Sequence, residues 1–280
     1  RVLEAQLALV RQGISPGSLD GILGSQTRAA IRVFQRNLGQ PVTGELDAAT
    51  LSGLQLLEPL FVQQAINPAE LARLLPLGKT WLEKSQQPRL DYESVLELVA
   101  ERSQSHPDLV RRMNAGVDWG LVTPGTVLTL ANAQFPPAEP KAAFVRIALA
   151  QRFLEVMGHD RALLAHFPCS IARLVEKRPV GELRVEVVIS NPNYTFDPDV
   201  FPESAEGREL GRKLVLQPGP NNPVGTVWIG LNQPGYGIHG TPSPELVGRT
   251  ESHGCFRLAN WNAEHLRSLV WVGMPVQVEP

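Results

Sequence analysis

Apolar residues recur at helical spacing through the N-terminal part of the chain and switch to alternation after residue 141, so two kinds of architecture are written into one sequence. Leu3, Leu7 and Val10 share one helical face, and residues 13–20 supply breakers. Residues 25–38 then predict a second helix with Ile31, Phe34 and Leu38 inward and Gly39 as its stop. A third, short helix is expected to begin near Asp47, which makes 1–57 a compact three-helix unit. From 58 to 140 prolines such as Pro59, Pro68, Pro76, Pro88 and Pro107 punctuate a helical, then irregular connector. Within it, Val95, Leu96 and Val99 give 92–102 helical periodicity, and 107–113 reads as another turn or two.

Beyond Lys141, Val145, Ile147 and Leu149 alternate with Phe144, Arg146 and Ala148. Further strands are expected at 153–157 and 162–167, completing a meander, and at 183–189, 227–231 and 276–278. Long Pro- and Gly-rich loops separate them at 191–211 and 217–225, and loops of that length are often functional. A helix over 262–269, capped by Asn260 or Asn262, would set Leu266, Leu269 and Val270 against the sheet. The fold class expected is α+β and multidomain: three-helix module 1–57, connector 58–140, mostly β domain 141–280.

Composition narrows the function classes. The 280 residues carry 43% hydrophobic and 19% charged residues, ordinary for a globular protein, and a net charge of −2 offers no basic field for nucleic acid. No apolar run approaches the ~20 residues of a membrane span. The chain starts at Arg1 without a charged-then-apolar leader, so any export signal is expected to have been removed. Two cysteines, Cys169 and Cys255, do not make a disulfide framework; Cys169 reads as a small buried hydrophobe.

The chemistry concentrates in YGIHGTPSPELVGRTESHGCFRLAN, residues 236–260. His239, His253 and Cys255 stand there on either side of a loop containing Pro242, Pro244 and Gly248 that can fold back on itself. Only a thiolate attacks, and an unassisted thiol with a pKa near ~8.5 is a few per cent ionised at neutral pH, so an adjacent imidazole matters. Gly254 lets backbone N–H groups of His253, Gly254 and Cys255 approach a bound carbonyl as an oxyanion hole. A structural thiol and a zinc site are the competing readings, but no second Cys pair or HExxH completes a metal set. Spacing alone leaves open which of the two imidazoles is the base.

His239, followed after a gap by Ser252-His253-Gly254-Cys255, Phe256 and Arg257, resembles the signature of the YkuD-type L,D-transpeptidase catalytic domain, and 141–280 is similar to it throughout. The resemblance implies a YkuD-like β-sandwich, Cys255 as acyl-accepting nucleophile, His239 as base and the Gly240 carbonyl as the group orienting the imidazole. His253 would shape the oxyanion pocket and Ser252 would fix the turn. Arg257 could hold a substrate carboxylate or brace the loop through backbone carbonyls. Tyr236 and Asn260 are candidates to line the cleft, against packing for Tyr236 and the helix start for Asn260. No cofactor or metal is implied.

Asp20-Gly21, Thr27, Ala30, Phe34-Gln35, Val42-Thr43-Gly44, Asp47 and Thr50-Leu51 resemble the type 1 peptidoglycan-binding domain, and 114–119 with 124–130 resemble the second half of a LysM repeat. The LysM first strand is not evident, so a structural spacer is the alternative for that segment. Together these resemblances imply peptidoglycan stem peptides and glycan as partners, a second stem or a lipoprotein amine as acceptor, and a bacterial envelope, periplasmic location. The same site acting with water would be an L,D-carboxypeptidase or a cross-link hydrolase, and a site that had lost activity would leave a wall-binding protein.

Overall fold

The computed structural model describes residues 1–54, 59–138, 142–201, 204–250 and 254–280. The N-terminal unit holds α1 (Val2–Val10), α2 (Ser25–Asn37) and α3 (Ala48–Gly53) around Leu9, Ile31 and Phe34. Asp47 caps α3, its carboxylate accepting from the Thr50 amide at 2.8 Å, as Asp at a helix start should. Leu38, expected inward, is 51% exposed instead: it sits one residue past α2, where the backbone has left the helical path.

The connector departs most from expectation. Strand β1 (Phe61–Ala65) pairs antiparallel with β2 (Val127–Ala131), and α6 (Val95–Arg102) and α7 (Pro107–Met113) lie between them in sequence. Val99, Val110, Leu128 and Leu130 share a core there. Two further short helices, α4 (Pro68–Arg73) and α5 (Trp81–Gln86), come between β1 and α6, each opened by a capping box.

The C-terminal part is a curled mixed sheet of eight strands: β3 (Ala142–Ala148), β4 (Phe153–Gly158), β5 (Leu163–Pro168), β6 (Gly181–Ser190), β9 (Val227–Leu231), β10 (Gly237–His239), β11 (Phe256–Arg257) and β12 (Pro275–Glu279). Their order is β11-β10-β9-β6-β12-β3-β4-β5, with β3, β4 and β5 forming the expected meander and β12 returning parallel to β3. Val145, Ile147, Val156, Ile229 and Val276 form the core, against which α9 (Asn260–Leu269) packs Leu266 and Leu269. The stretch 191–211, expected as loop, holds β7 (Tyr194–Phe196) and α8 (Ala205–Leu210), and β7 pairs with β8 (Leu214–Leu216). Neither asparagine caps α9; Ala259 occupies that position without a side-chain bond, and the Asn260 amide is engaged elsewhere.

The N-terminal unit extends the sheet. Ser15 donates its amide to the His166 carbonyl and His166 donates to the Gly13 carbonyl, both at 2.8 Å, which gives the edge strand β5 a partner. Gly13 is obligatory at this approach, since a Cβ there would lie 2.5 Å from the Leu164 carbonyl oxygen. Beneath this seam Glu155 receives Arg36 from α2 and Arg146 from β3. Burial pushes the Glu155 carboxyl up, but the His166 and Arg36 contacts outweigh it and hold it down at about 2.

Candidate active site

The alternation of β10 and β11 decides what faces the cleft. The two strands are parallel neighbours, with Ile238 opposite Phe256 and His239 opposite Arg257. Ile238 and Phe256 are buried in the core at 0% and 1% exposure, so His239 and Arg257 project to the other side. Cys255 and Gly254 precede β11 at the same end. His239, Gly254, Cys255 and Arg257 therefore line one cavity of about 620 Å³. Backbone pairing, which a reader of the sequence does not see, closes the gap between residues 239 and 255.

His239 is held as a neutral imidazole of one tautomer. Its Nδ1 lies 2.6 Å from the Gly240 carbonyl oxygen, which can only accept, so the proton sits on Nδ1 and the Nε2 lone pair is available. Its pKa is lowered to about 4, mainly by burial, with the Gly240 bond opposing and the Arg257 charge adding to the fall. Trp228 of β9 stacks on the ring at 5.7 Å, fixing its plane. The Cys255 thiol is half-buried and donates to the Gly235 carbonyl at 3.5 Å. Burial pushes its pKa up, against the Gly237 backbone and the Arg257 charge. At neutral pH the site thus holds a thiol and a free imidazole base, both uncharged. Among the described residues no carboxylate pairs with the Arg257 guanidinium, whose own pKa is lowered by burial.

The wall opposite the sheet is aromatic and comes from two places. Tyr194 and Phe196 belong to β7, and Phe201 follows it; Trp81 arrives from α5 of the connector and stacks on Phe196 at 4.4 Å and 14°. Glu206 of α8 joins the two parts, accepting from the Trp81 and Leu82 amides at 2.9 and 2.8 Å. Sequence reasoning missed Trp81, Phe196 and Trp228 as cleft residues. Tyr194 lies in the long loop region 191–211 that was expected to be functional, but nothing near residues 81 or 228 points to the site.

Gly240 is buried and supplies the carbonyl just described. Tyr236 closes the β9–β10 turn, its amide donating to Gln233 and its carbonyl accepting from Leu231, outside the residues that line the cavity. Asn260 lies behind the cleft at 1% exposure. Ser252 and His253 fall outside the described residues. Cys169 is fully buried and far above the usual thiol range.

A half-buried thiol and a fixed imidazole in an apolar cleft at the edge of a curled sheet define a class of cleft rather than a single protein. Residues 142–278 match the family model described as "YkuD: L,D-transpeptidase catalytic domain", and residues 1–54 match that described as "Putative peptidoglycan binding domain". The chain is 39% identical over 175 residues to "Putative L,D-transpeptidase YkuD" of Bacillus subtilis, covering 62% of this chain and 82% of that one. The Bacillus licheniformis protein of the same name is 25% identical over 185 residues, 66% of this chain and 93% of that one. Among solved structures, the "L,D-transpeptidase from Mycobacterium smegmatis" aligns with a TM-score of 0.39 at 19% identity, covering 56% of this chain and 64% of that one. The chain belongs to the YkuD family and is an L,D-transpeptidase enzyme.

Proposed function

We propose that Cys255 is the nucleophile and His239 the base of acyl transfer on peptidoglycan stem peptides. The observation that carries this reading is the His239 Nδ1 contact with the Gly240 carbonyl at 2.6 Å, which leaves Nε2 as a lone-pair acceptor in the cavity that the Cys255 thiol also lines. The Cys255 proton passes to Nε2 as sulfur attacks the carbonyl carbon of the third stem residue. The C–N bond to the terminal D-alanine breaks, and the imidazolium returns the proton to the departing amine. An acceptor amine then attacks the thioester, gives its proton to Nε2, and the C–S bond breaks with the sulfur reprotonated. Backbone N–H groups at Gly254 and Cys255 would carry the developing oxyanion, with His253 completing that pocket and Ser252 the turn. Because thiol and imidazole are both uncharged at rest, proton transfer accompanies attack rather than preceding it.

Arg257 is the residue for a substrate carboxylate: a half-buried guanidinium lining the same cavity as the thiol, with no acidic partner among the described residues, favours that role over bracing. The aromatic wall would pack the aliphatic parts of the stem. Residues 1–57, 58–140 and 141–280 then act as wall-binding module, connector and catalytic domain. The antiparallel β1–β2 pair with α6 and α7 between supports reading the connector as an LysM-like unit interrupted by α4 and α5. Such a substrate places the enzyme in the bacterial cell envelope; no helix among the described residues is long and apolar enough to cross a membrane. Incubation with a carbapenem followed by intact-mass spectrometry tests the nucleophile: a covalent adduct on the native protein and none on Cys255→Ala is expected, and an adduct on Cys255→Ala overturns the assignment. Muropeptide product analysis separates transfer to a second stem or a lipoprotein amine from hydrolysis.

A further inference from the structure

The base is seated by a residue that belongs to neither β10 nor the catalytic sheet. Asn260, the first residue of α9, has its side-chain oxygen wedged against two glycines: a Cβ on Gly225 or Gly240 would lie 2.0 or 2.2 Å from that Oδ1. The same oxygen accepts from the Thr226 amide at 3.2 Å. Gly240, against which it packs, is the residue whose carbonyl binds His239 Nδ1. On its other side the Asn260 amide nitrogen donates to the Pro220 carbonyl at 3.1 Å and to the Glu101 carboxylate at 3.1 and 3.2 Å. Glu101 lies in the last turn of α6, in the connector, and also receives the Tyr92 hydroxyl at 3.2 Å.

An amide side chain has two ends of nearly equal size and opposite polarity, and its partners decide which end faces where. Turned over, Asn260 would present an NH₂ to the Gly240 backbone and to the Thr226 amide, which is itself a donor. The Pro220 carbonyl, which can only accept, and the Glu101 carboxyl oxygens, which take the same nitrogen, fix that nitrogen on the α6 side and the oxygen on the Gly240 side. We propose that Glu101 is a positioning residue for the active-site base: by holding the Asn260 amide from the connector, it seats the Gly240 carbonyl that fixes the tautomer and direction of His239. The inference rests on His239 acting as the base. It makes the connector part of the catalytic apparatus, because a displacement of the imidazole by a fraction of an ångström is felt directly in proton transfer.

The test is the rate of Cys255 alkylation by iodoacetamide, followed by intact mass on the full chain, beside the acylation kinetics of a carbapenem and the melting temperature. Cys169 is 0% exposed, so the label reports Cys255. Glu101→Met keeps the volume and removes the acceptor; alkylation and the limiting acylation rate are expected to fall roughly 10- to 100-fold, with the half-saturating carbapenem concentration held within about twofold. Glu101→Gln, whose Oε1 can accept from the same Asn260 nitrogen, is expected to restore most of the rate. Native alkylation and acylation rates in Glu101→Met, with only a lowered melting temperature, would make Glu101 a structural brace and overturn the proposal. Equal slowing in Glu101→Met and Glu101→Gln would overturn it too, since an acceptor oxygen at that position would then not be what matters. If Glu101→Met does not fold, Glu101→Gln decides, a slowed rate in a folded protein counting against the hydrogen-bond role. His239→Ala is the reference: alkylation unchanged in that variant defeats the reading of His239 as base, whereas slowing there without slowing in Glu101→Met defeats only the role of Glu101.

Discussion

Two cavities of similar size flank Asn260, and they are chemically opposite. The one behind it, about 700 Å³ between the connector and α9, is lined by ion pairs, Arg73 and Arg89 on Asp91 and Arg102 on Glu70, together with the acids Glu101 and Glu264. The one in front, about 620 Å³, is walled by aromatic rings and holds a thiol, an uncharged imidazole and a guanidinium without an acidic partner among the described residues. Volume therefore ranks the two sites wrongly. What marks the front cavity is a thiol and an uncharged imidazole lining it together with a guanidinium that has no acidic partner among the described residues.

The comparison breaks most decisively at the two sulfurs. Cys255→Ala is expected to abolish covalent adduct formation, while Cys169→Ala retains it, read by intact mass after carbapenem exposure; an adduct on Cys255→Ala would put the chemistry elsewhere. His239→Ala should slow acylation by roughly 10² to 10⁴, the range for loss of a general base, measured as a single-turnover rate constant. Slowing of less than tenfold would return the base role to another group.

The arginines sharpen it next. Arg257→Met is expected to raise the stem-peptide KM by about 10- to 100-fold, corresponding to roughly 1.5–3 kcal/mol for a charge-assisted bond, and Arg257→Lys to recover only part because the fork is lost. The equivalent cut behind Asn260, Arg102→Met, leaves KM alone because Arg102 already has Glu70 as partner. A larger KM effect at Arg102 than at Arg257 would reverse the assignment of the two cavities.

These groups differed in how legible they were. The alternation of Val145, Ile147 and Leu149 is a direct record of burial, and the strands it predicted lie where expected within a residue or two. His239, Gly240, Cys255 and Arg257 were legible because the family signature is local. Strand β1 was not: FVQQA has no alternation to read, since the strand is held by its backbone ladder to β2, and its side chains are mostly exposed. Residues 194–216 carry turn formers at a density that reads as loop, although Phe196, Leu214 and Leu216 bury themselves with Leu90 of the connector. Trp81 and Glu101 were beyond reach for a related reason. Each acts across more than a hundred residues of sequence through a contact that no period encodes.

The smallest expected effect separates the same two regions by pH. His239 in front and His265 behind are both lowered by burial to about 4 from the ordinary 6.5. The unfolded chain takes up those protons first as pH falls, so between 6.5 and about 4 it binds more protons than the fold, and stability is lost through that window. Glu101 works in the opposite direction: burial, with the charge of Glu264 added, raises it to about 8 from 4.5, so stability is lost as pH rises from 4.5 to about 8. His265→Phe, which preserves the stack on Phe135, should flatten the acid side of a melting-temperature profile, and Glu101→Gln the alkaline side, each by a few degrees, as about 1 kcal/mol in a domain of this size implies. His265→Phe should do so with acylation unchanged, because the ring lines only the rear cavity. A slope that persists on the acid side in His265→Phe would assign it to His239.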